Sequence, residues 1–115
     1  MAVPILKQGS FLIASVQAAI TDQEVLQLQD DLAAQVGRYR ARGIIVDVTG
    51  LDVVDSFVSR SLRNMAFMSK MLGAEAVIVG IQPEVAYAMV QLGLALEGVH
   101  TALDLEEGLA FLRGL

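Results

Sequence analysis

A short polar segment between two apolar stretches holds the residues whose chemistry stands out. It contains a serine, Ser56, and three acids, Asp47, Asp52 and Asp55. A serine hydroxyl at a helix start can receive a phosphoryl group, and carboxylates are ligands for divalent cations. Asp47, however, is predicted to lie inside a strand, and acids in a loop usually face solvent or cap a helix. We therefore predict no metal site here.

The rest of the chain offers little catalytic chemistry. Its one histidine, His100, falls in a predicted strand, there is no cysteine, and neither a Gly-x-Gly-x-x-Gly motif nor a P-loop occurs. A lone strand histidine is far more often packed or exposed than catalytic, so a Ser-His-Asp arrangement is not credible. We expect a protein that is not an enzyme and binds no cofactor.

Two elements must position Ser56. The apolar, β-branched run from Gly43 to Val48 predicts a buried strand over 44–48. After Ser56, an apolar stripe at helical spacing predicts a helix over about 56–72, with Ser56 or Asp55 as its N-cap. The stripe consists of Val58, Leu62, Met65, Ser69 and Leu72. A second apolar line of Phe57, Met68 and Met71 suits either an adaptable partner surface or a helix that packs between neighbours on two sides.

The remaining elements alternate along the chain. Strands are predicted over 4–7, 11–16, 75–81 and 99–103. One helix begins at Thr21–Asp22 and ends with Gly43 as C-cap, carrying an apolar stripe that includes Tyr39. A short helix lies between Pro83 and Gly93, and another opens at Asp104. The order β-β-α-β-α-β-α-β-α predicts a mostly parallel α/β sheet of four to five strands, an N-terminal hairpin and about four helices, in one domain over 1–115.

Composition narrows the functional classes. The chain is 55% hydrophobic with a net charge of −5, and no run of lysine or arginine forms a basic stripe, so nucleic acid is not an expected partner. No apolar segment reaches the length of a membrane span, and no secretion signal is visible, which favours a cytoplasmic protein. The high apolar content indicates surfaces covered by partners.

Residues 45–50 (Ile-Val-Asp-Val-Thr-Gly) and 53–57 (Val-Val-Asp-Ser-Phe) resemble the phosphorylation loop of STAS-domain proteins, which include the anti-sigma factor antagonists. Residues 79–86, followed by Leu92-Gly93, extend the resemblance over nearly the whole chain. It is strongest for the RsbS-type scaffolds of the bacterial stressosome. The resemblance implies that Ser56 accepts phosphate from a dedicated serine/threonine kinase, and that the helices lie mainly on one side of the sheet.

The same resemblance implies partners and contacts. A kinase of the RsbT type would meet Asp52, Asp55, Phe57 and Arg60, and the chain would assemble with itself and with RsbR-type STAS paralogues. RsbR-type chains carry threonine at the position of Ser56 and a second phosphorylated threonine near the first helix, where this chain has Asp22 preceded by Thr21. These differences favour an RsbS-like chain.

Several alternatives stay open from the sequence. Thr49 is a minor candidate phosphoacceptor, Thr21 is a possible second site, and Ser59 and Ser61 lie inside the predicted helix, where a kinase reaches the backbone less easily. Other functions are an antagonist that binds an anti-sigma kinase directly, a small ligand-binding α/β domain, or a receiver phosphorylated on Asp47. The receiver lacks the acidic pair and the strand-end lysine that its chemistry requires.

Overall fold

The computed structural model describes residues 3–115. The elements appear in the predicted order. The strands are β1 (Ile5–Gln8), β2 (Phe11–Ser15), β3 (Gly43–Asp47), β4 (Glu75–Val79) and β5 (His100–Ala102), and the helices are α1 (Asp22–Tyr39), α2 (Ser56–Met71), α3 (Pro83–Gln91) and α4 (Leu105–Arg113).

The five strands form one sheet in the order β1-β2-β3-β4-β5. β1 pairs with β2 as an antiparallel hairpin, whereas all the other pairs are parallel. Because parallel strands share a direction, the carboxyl ends of β2, β3, β4 and β5 meet at one edge, and each helix that follows one of them begins there. The segment around Ser56 lies at this edge. The mostly parallel sheet with an N-terminal hairpin is thus confirmed.

The helices cover the two faces of the sheet unequally. One face packs against α1, α2 and α3 through a large core that includes Leu12, Ile44 and Ile78. The alternate strand residues, among them Ile45 and Val77, form a smaller core with α4 on the other face. Strand residues alternate between faces, which is why neighbours in sequence belong to different cores. The expected one-sided arrangement therefore holds for three of the four helices.

Capping residues fix where the helices begin. Thr21 forms a capping box with Glu24, Pro83 occupies the first turn of α3, and the Asp104 carboxylate accepts a hydrogen bond from the Glu107 N–H at 2.9 Å. These starts match the sequence predictions. In the capping box the Thr21 backbone N–H donates to the Glu24 carboxylate, which lowers the pKa of that group.

The end of α1 differs from the prediction. Arg40, not Gly43, is the C-cap, in a left-handed conformation with φ of 50°. Gly43 is the first residue of β3, and a Cβ there would stand 2.8 Å from the Leu112 side chain of α4. The glycine therefore makes room for a helix packed on the sheet rather than for a turn.

Apart from the end of α1, strand and helix limits differ from the predicted ones by at most two residues, as fraying ends commonly do. Two residues of the predicted apolar stripes are in fact largely exposed. Tyr39 is 42% exposed in the last turn of α1, and Leu72 is 51% exposed as the C-cap of α2. Both lie at the carboxyl end of their helix, Tyr39 as the last residue of α1 and Leu72 as the C-cap of α2. Within residues 3–115, no helix combines the length and the apolar character that a membrane span requires.

Candidate phosphoacceptor site

Ser56 is the first residue of α2 and is exposed. The N-cap is Asp55, whose carboxylate accepts a hydrogen bond from the Val58 N–H at 2.8 Å. Of the two predicted candidates, the aspartate is therefore the cap. This leaves the serine hydroxyl without a capping role, at a position where the backbone N–H groups of the first turn point outward.

Two buried side chains hold the segment before Ser56 in place. Leu51 and Val54 are 3% and 5% exposed and belong to the main core. Between and beside them, Asp52, Val53 and Asp55 face solvent, and Val53 is 73% exposed. The segment is thus anchored by apolar residues and presents two acids and one valine beside the serine.

Thr49 has a different role from Ser56. Its hydroxyl donates to Oδ1 of Asp47 at 2.6 Å, and its backbone N–H donates to the same oxygen at 2.9 Å. Asp47 is the last residue of β3 and is half-buried, rather than an interior strand residue as predicted. The Thr49 hydroxyl is therefore engaged in shaping the turn after β3.

The turn after β4 contacts the loop that follows β3 and holds it in place. Gln82 donates from Nε2 to the Thr49 carbonyl at 2.7 Å. Gly80 has φ of +81°, and a Cβ on it would overlap the Thr49 hydroxyl and stand 3.1 Å from Oδ1 of Asp47. Sequence reasoning assigned no role to Gly80 or Gln82. The available signal was that both follow the strand next to β3, whose carboxyl end lies at the same edge.

The other hydroxyl candidates are occupied or hidden. Ser59 and Ser61 are each 3% exposed, and Ser59 donates to the Leu94 carbonyl at 3.0 Å, tying α2 to the segment after α3. Ser59 is therefore a buried polar residue of the first turn of α2. Thr21 is exposed, but its hydroxyl caps α1 by accepting from the Glu24 N–H at 3.1 Å.

The surface of α2 that continues from Ser56 is mixed. Arg60 and Arg63 are exposed and follow Ser56 by four and seven residues, which places them on the same side of the helix. Phe57 and Met68 are half-buried, whereas Met71 is 88% exposed near the far end of α2. The predicted line of Phe57, Met68 and Met71 is therefore not a uniform surface.

His100 is the first residue of the exposed strand β5 and pairs in register with Val77, the middle residue of β4. Its ring stacks on Phe111 of α4, with centroids 3.6 Å apart and 12° between the planes. A packed aromatic role explains this histidine, as the sequence favoured. Among residues 3–115 no group of three or more His, Cys, Asp or Glu side chains is placed to hold a metal ion.

Comparison with known proteins identifies the family. The profile of the STAS domain matches residues 2–108. The RsbT co-antagonist protein RsbRA of Bacillus subtilis is 29% identical over 90 residues, covering 78% of this chain and 33% of the relative. The B. subtilis protein YezB is 36% identical over 66 residues, covering 57% of this chain and 67% of YezB. The chain spans about a third of the length of RsbRA and of similar RsbR relatives.

Comparison with solved structures supports the same family. A Moorella thermoacetica RsbS variant with a serine-to-glutamate substitution is 35% identical, with a TM-score of 0.84 over 97% of this chain and 95% of that one. A chain of the stressosome is also 35% identical, with a TM-score of 0.82 and 96% coverage of both chains. The unphosphorylated anti-sigma factor antagonist SpoIIAA shares the fold, with a TM-score of 0.74 at 12% identity. The chain belongs to the STAS-domain family.

Proposed function

We propose that this protein is a regulatory scaffold of a stressosome-like complex, without enzymatic activity of its own. It binds a partner-switching serine/threonine kinase of the RsbT type and releases it when Ser56 is phosphorylated. The observation that carries the proposal is the position of Ser56. Its hydroxyl is exposed and has no capping role, because the preceding residue, Asp55, is the N-cap of α2. The loop that leads to Ser56 is held in place by the hydrogen bond from Gln82 to the Thr49 carbonyl.

The position suits a phosphoserine physically. A phosphate on Ser56 would lie beside the free N–H groups and the positive dipole end of α2, and Arg60 and Arg63 are within one and two turns of it. Asp52 and Asp55 would repel it. Because the loop is anchored by Leu51 and Val54 in the core, we expect the phosphate to change the charge of the surface without unfolding the helix.

That change of charge provides the switch. The kinase would dock over the loop and contact Asp52, Asp55, Phe57 and Arg60, with its surface matched to a neutral hydroxyl. Phosphorylation adds about −1.5 to −2 charges at the centre of this contact. A buried negative charge without a cation is costly, so the complex would dissociate.

The relatives support the choice of partners. Several RsbR proteins of B. subtilis are named as RsbT co-antagonists, and the 35% identical structures come from RsbS and the stressosome. We therefore propose RsbR-type STAS chains as assembly partners and an RsbT-type kinase as the bound enzyme.

Phosphopeptide mapping after incubation with an RsbT-type kinase and ATP tests the proposal. We expect acid-stable phosphate on the peptide containing Ser56, and none on the Ser56→Ala variant. Ser10→Ala is the matched control, because Ser10 is also exposed but lies in the β1–β2 turn at the other end of the sheet. Full incorporation into Ser56→Ala, or phosphate that hydroxylamine removes, would refute the assignment, the latter pointing to an aspartate.

A further inference from the structure

The outer surface of α4 is self-complementary. Glu106, Glu107, Ala110 and Arg113 are exposed, while Gly108, Leu109 and Leu112 face the sheet. The acids lie in the first turn and the arginine in the last, with a small alanine between them. Glu107 and Arg113 are each three residues from Ala110, so the charges are placed symmetrically about it.

This symmetry has a geometric consequence. If two α4 helices lie antiparallel with their Ala110 residues at a twofold axis, Glu107 of each copy is level with Arg113 of the other. Opposite charges then meet twice, and the alanine lets the helices approach closely. A twofold arrangement in which the same patch is used by both copies is the commonest form of homo-oligomer.

We propose that α4 is a homodimer interface, with a second copy of this chain packed antiparallel across Ala110. The inference deepens the scaffold part of the proposed function by naming the surface for self-association, but it does not depend on phosphorylation. Ser56 starts α2, which packs on the opposite face of the sheet from α4, so the dimer leaves the kinase contact free.

Ala110→Arg tests the interface by placing a large charge at the twofold axis. A nine-residue helix gives a small interface, so we expect a weak dimer, to be followed by sedimentation up to about 500 µM. We expect Ala110→Arg to raise the dimer dissociation constant by about tenfold or more, an effect of one decade in affinity. Ala34→Arg is the matched control, because Ala34 is also exposed but lies on α1.

A charge exchange tests the antiparallel register. Glu107→Arg or Arg113→Glu alone places like charges together and should weaken the dimer, whereas the double variant Glu107→Arg/Arg113→Glu should restore it. Both changes oppose the helix dipole. Recovery in the double variant therefore cannot come from a more stable helix, and thermal melts verify that each variant is folded.

Three outcomes overturn the inference: a wild-type protein that stays monomeric over the whole range, a dimer unaffected by Ala110→Arg, or a double variant no better than the single ones. Phosphorylation of Ala110→Arg by the kinase is measured in parallel. An intact dimer without phosphate on Ser56 would refute the proposed switch alone. A wild-type protein that is phosphorylated normally on Ser56 but stays monomeric over the whole concentration range would refute the interface alone.

Discussion

A single carboxylate oxygen of Asp47 accepts two hydrogen bonds from Thr49, one from its hydroxyl at 2.6 Å and one from its backbone N–H at 2.9 Å. Asp47 ends β3, so this pair defines how the chain leaves the sheet on its way to Ser56. Gln82 then holds the Thr49 carbonyl from the neighbouring turn. The position of the candidate phosphoacceptor thus depends on side chains that are themselves seven or more residues away from it.

Thr49→Val should loosen this turn. The change keeps the β-branched shape and the backbone N–H bond but removes the hydroxyl bond, so we expect a loss of about 1 kcal/mol in the free energy of unfolding. Urea unfolding measures the loss, and amide exchange over residues 49–54 should become faster. Thr101→Val, on an exposed residue of β5, is the control. Equal effects at the two positions would contradict a special role for Thr49.

Asp55→Ala should cost stability while Ser56→Ala should not. Asp55 caps α2 through its bond to Val58, and losing such a cap typically costs about 1 kcal/mol. Ser56 is exposed and outside the cap, so its replacement should change the free energy of unfolding by less than about 0.5 kcal/mol. Chemical denaturation of both variants decides the matter. A larger loss for Ser56→Ala would mean that the serine is the structural residue.

Ser56→Asp should stay folded yet bind the kinase less tightly. A negative charge in the first turn suits the helix dipole, so global stability should change by less than about 1 kcal/mol. Burying that charge beside Asp52 and Asp55 in a complex is unfavourable, and about 2.7 kcal/mol already corresponds to a hundredfold weaker affinity. Aspartate carries less charge than phosphate, so the mimic should be partial.

A melting curve and a kinase titration are measured together for Ser56→Asp, with Ser10→Asp as a control that adds the same charge at the opposite end of the sheet. If affinity falls only because the variant unfolds, the electrostatic switch is wrong. If neither quantity changes, Ser56 lies outside the kinase contact.

Gly80→Ala should be more damaging than Gly73→Ala. Both glycines have positive φ, which costs an alanine about 1–2 kcal/mol. At Gly73 a Cβ meets nothing within 4 Å, whereas at Gly80 it would overlap the Thr49 hydroxyl. We expect a further cost of about 1–3 kcal/mol from this crowding, measured as the difference between the two variants in urea. The double variant Gly80→Ala/Thr49→Ala should recover part of it; no recovery would place the strain elsewhere.

The sequence was sufficient for the order of elements, because apolar periodicity and caps such as Thr21, Pro83 and Asp104 are local signals. It was insufficient where one element makes room for another. Gly43 looks like a helix end, yet its lack of a side chain admits Leu112 from α4, some seventy residues later. Spacing on a single helix cannot reveal such a contact.

Prediction of the candidate site from the sequence was limited in the same way. The pattern marked Ser56, Asp55 and Thr49, but could not decide which of Ser56 and Asp55 caps α2. That choice depends on the extended backbone at Asp55, with φ of −83° and ψ of −178°. The burial of Ser59 was missed for a similar reason, since its partner is the carbonyl of Leu94, thirty-five residues away.

Gly80 and Thr49 also constrain how the sequence of this loop can evolve. With Thr49 in place, every other amino acid at position 80 both strains the backbone and collides with the hydroxyl. A variant that shortens the side chain at position 49 first would relieve the collision, at the cost of the bond to Asp47. Substitutions that reshape the loop therefore pass through an intermediate with a less stable fold. The substitution at position 49 has to come before the one at position 80.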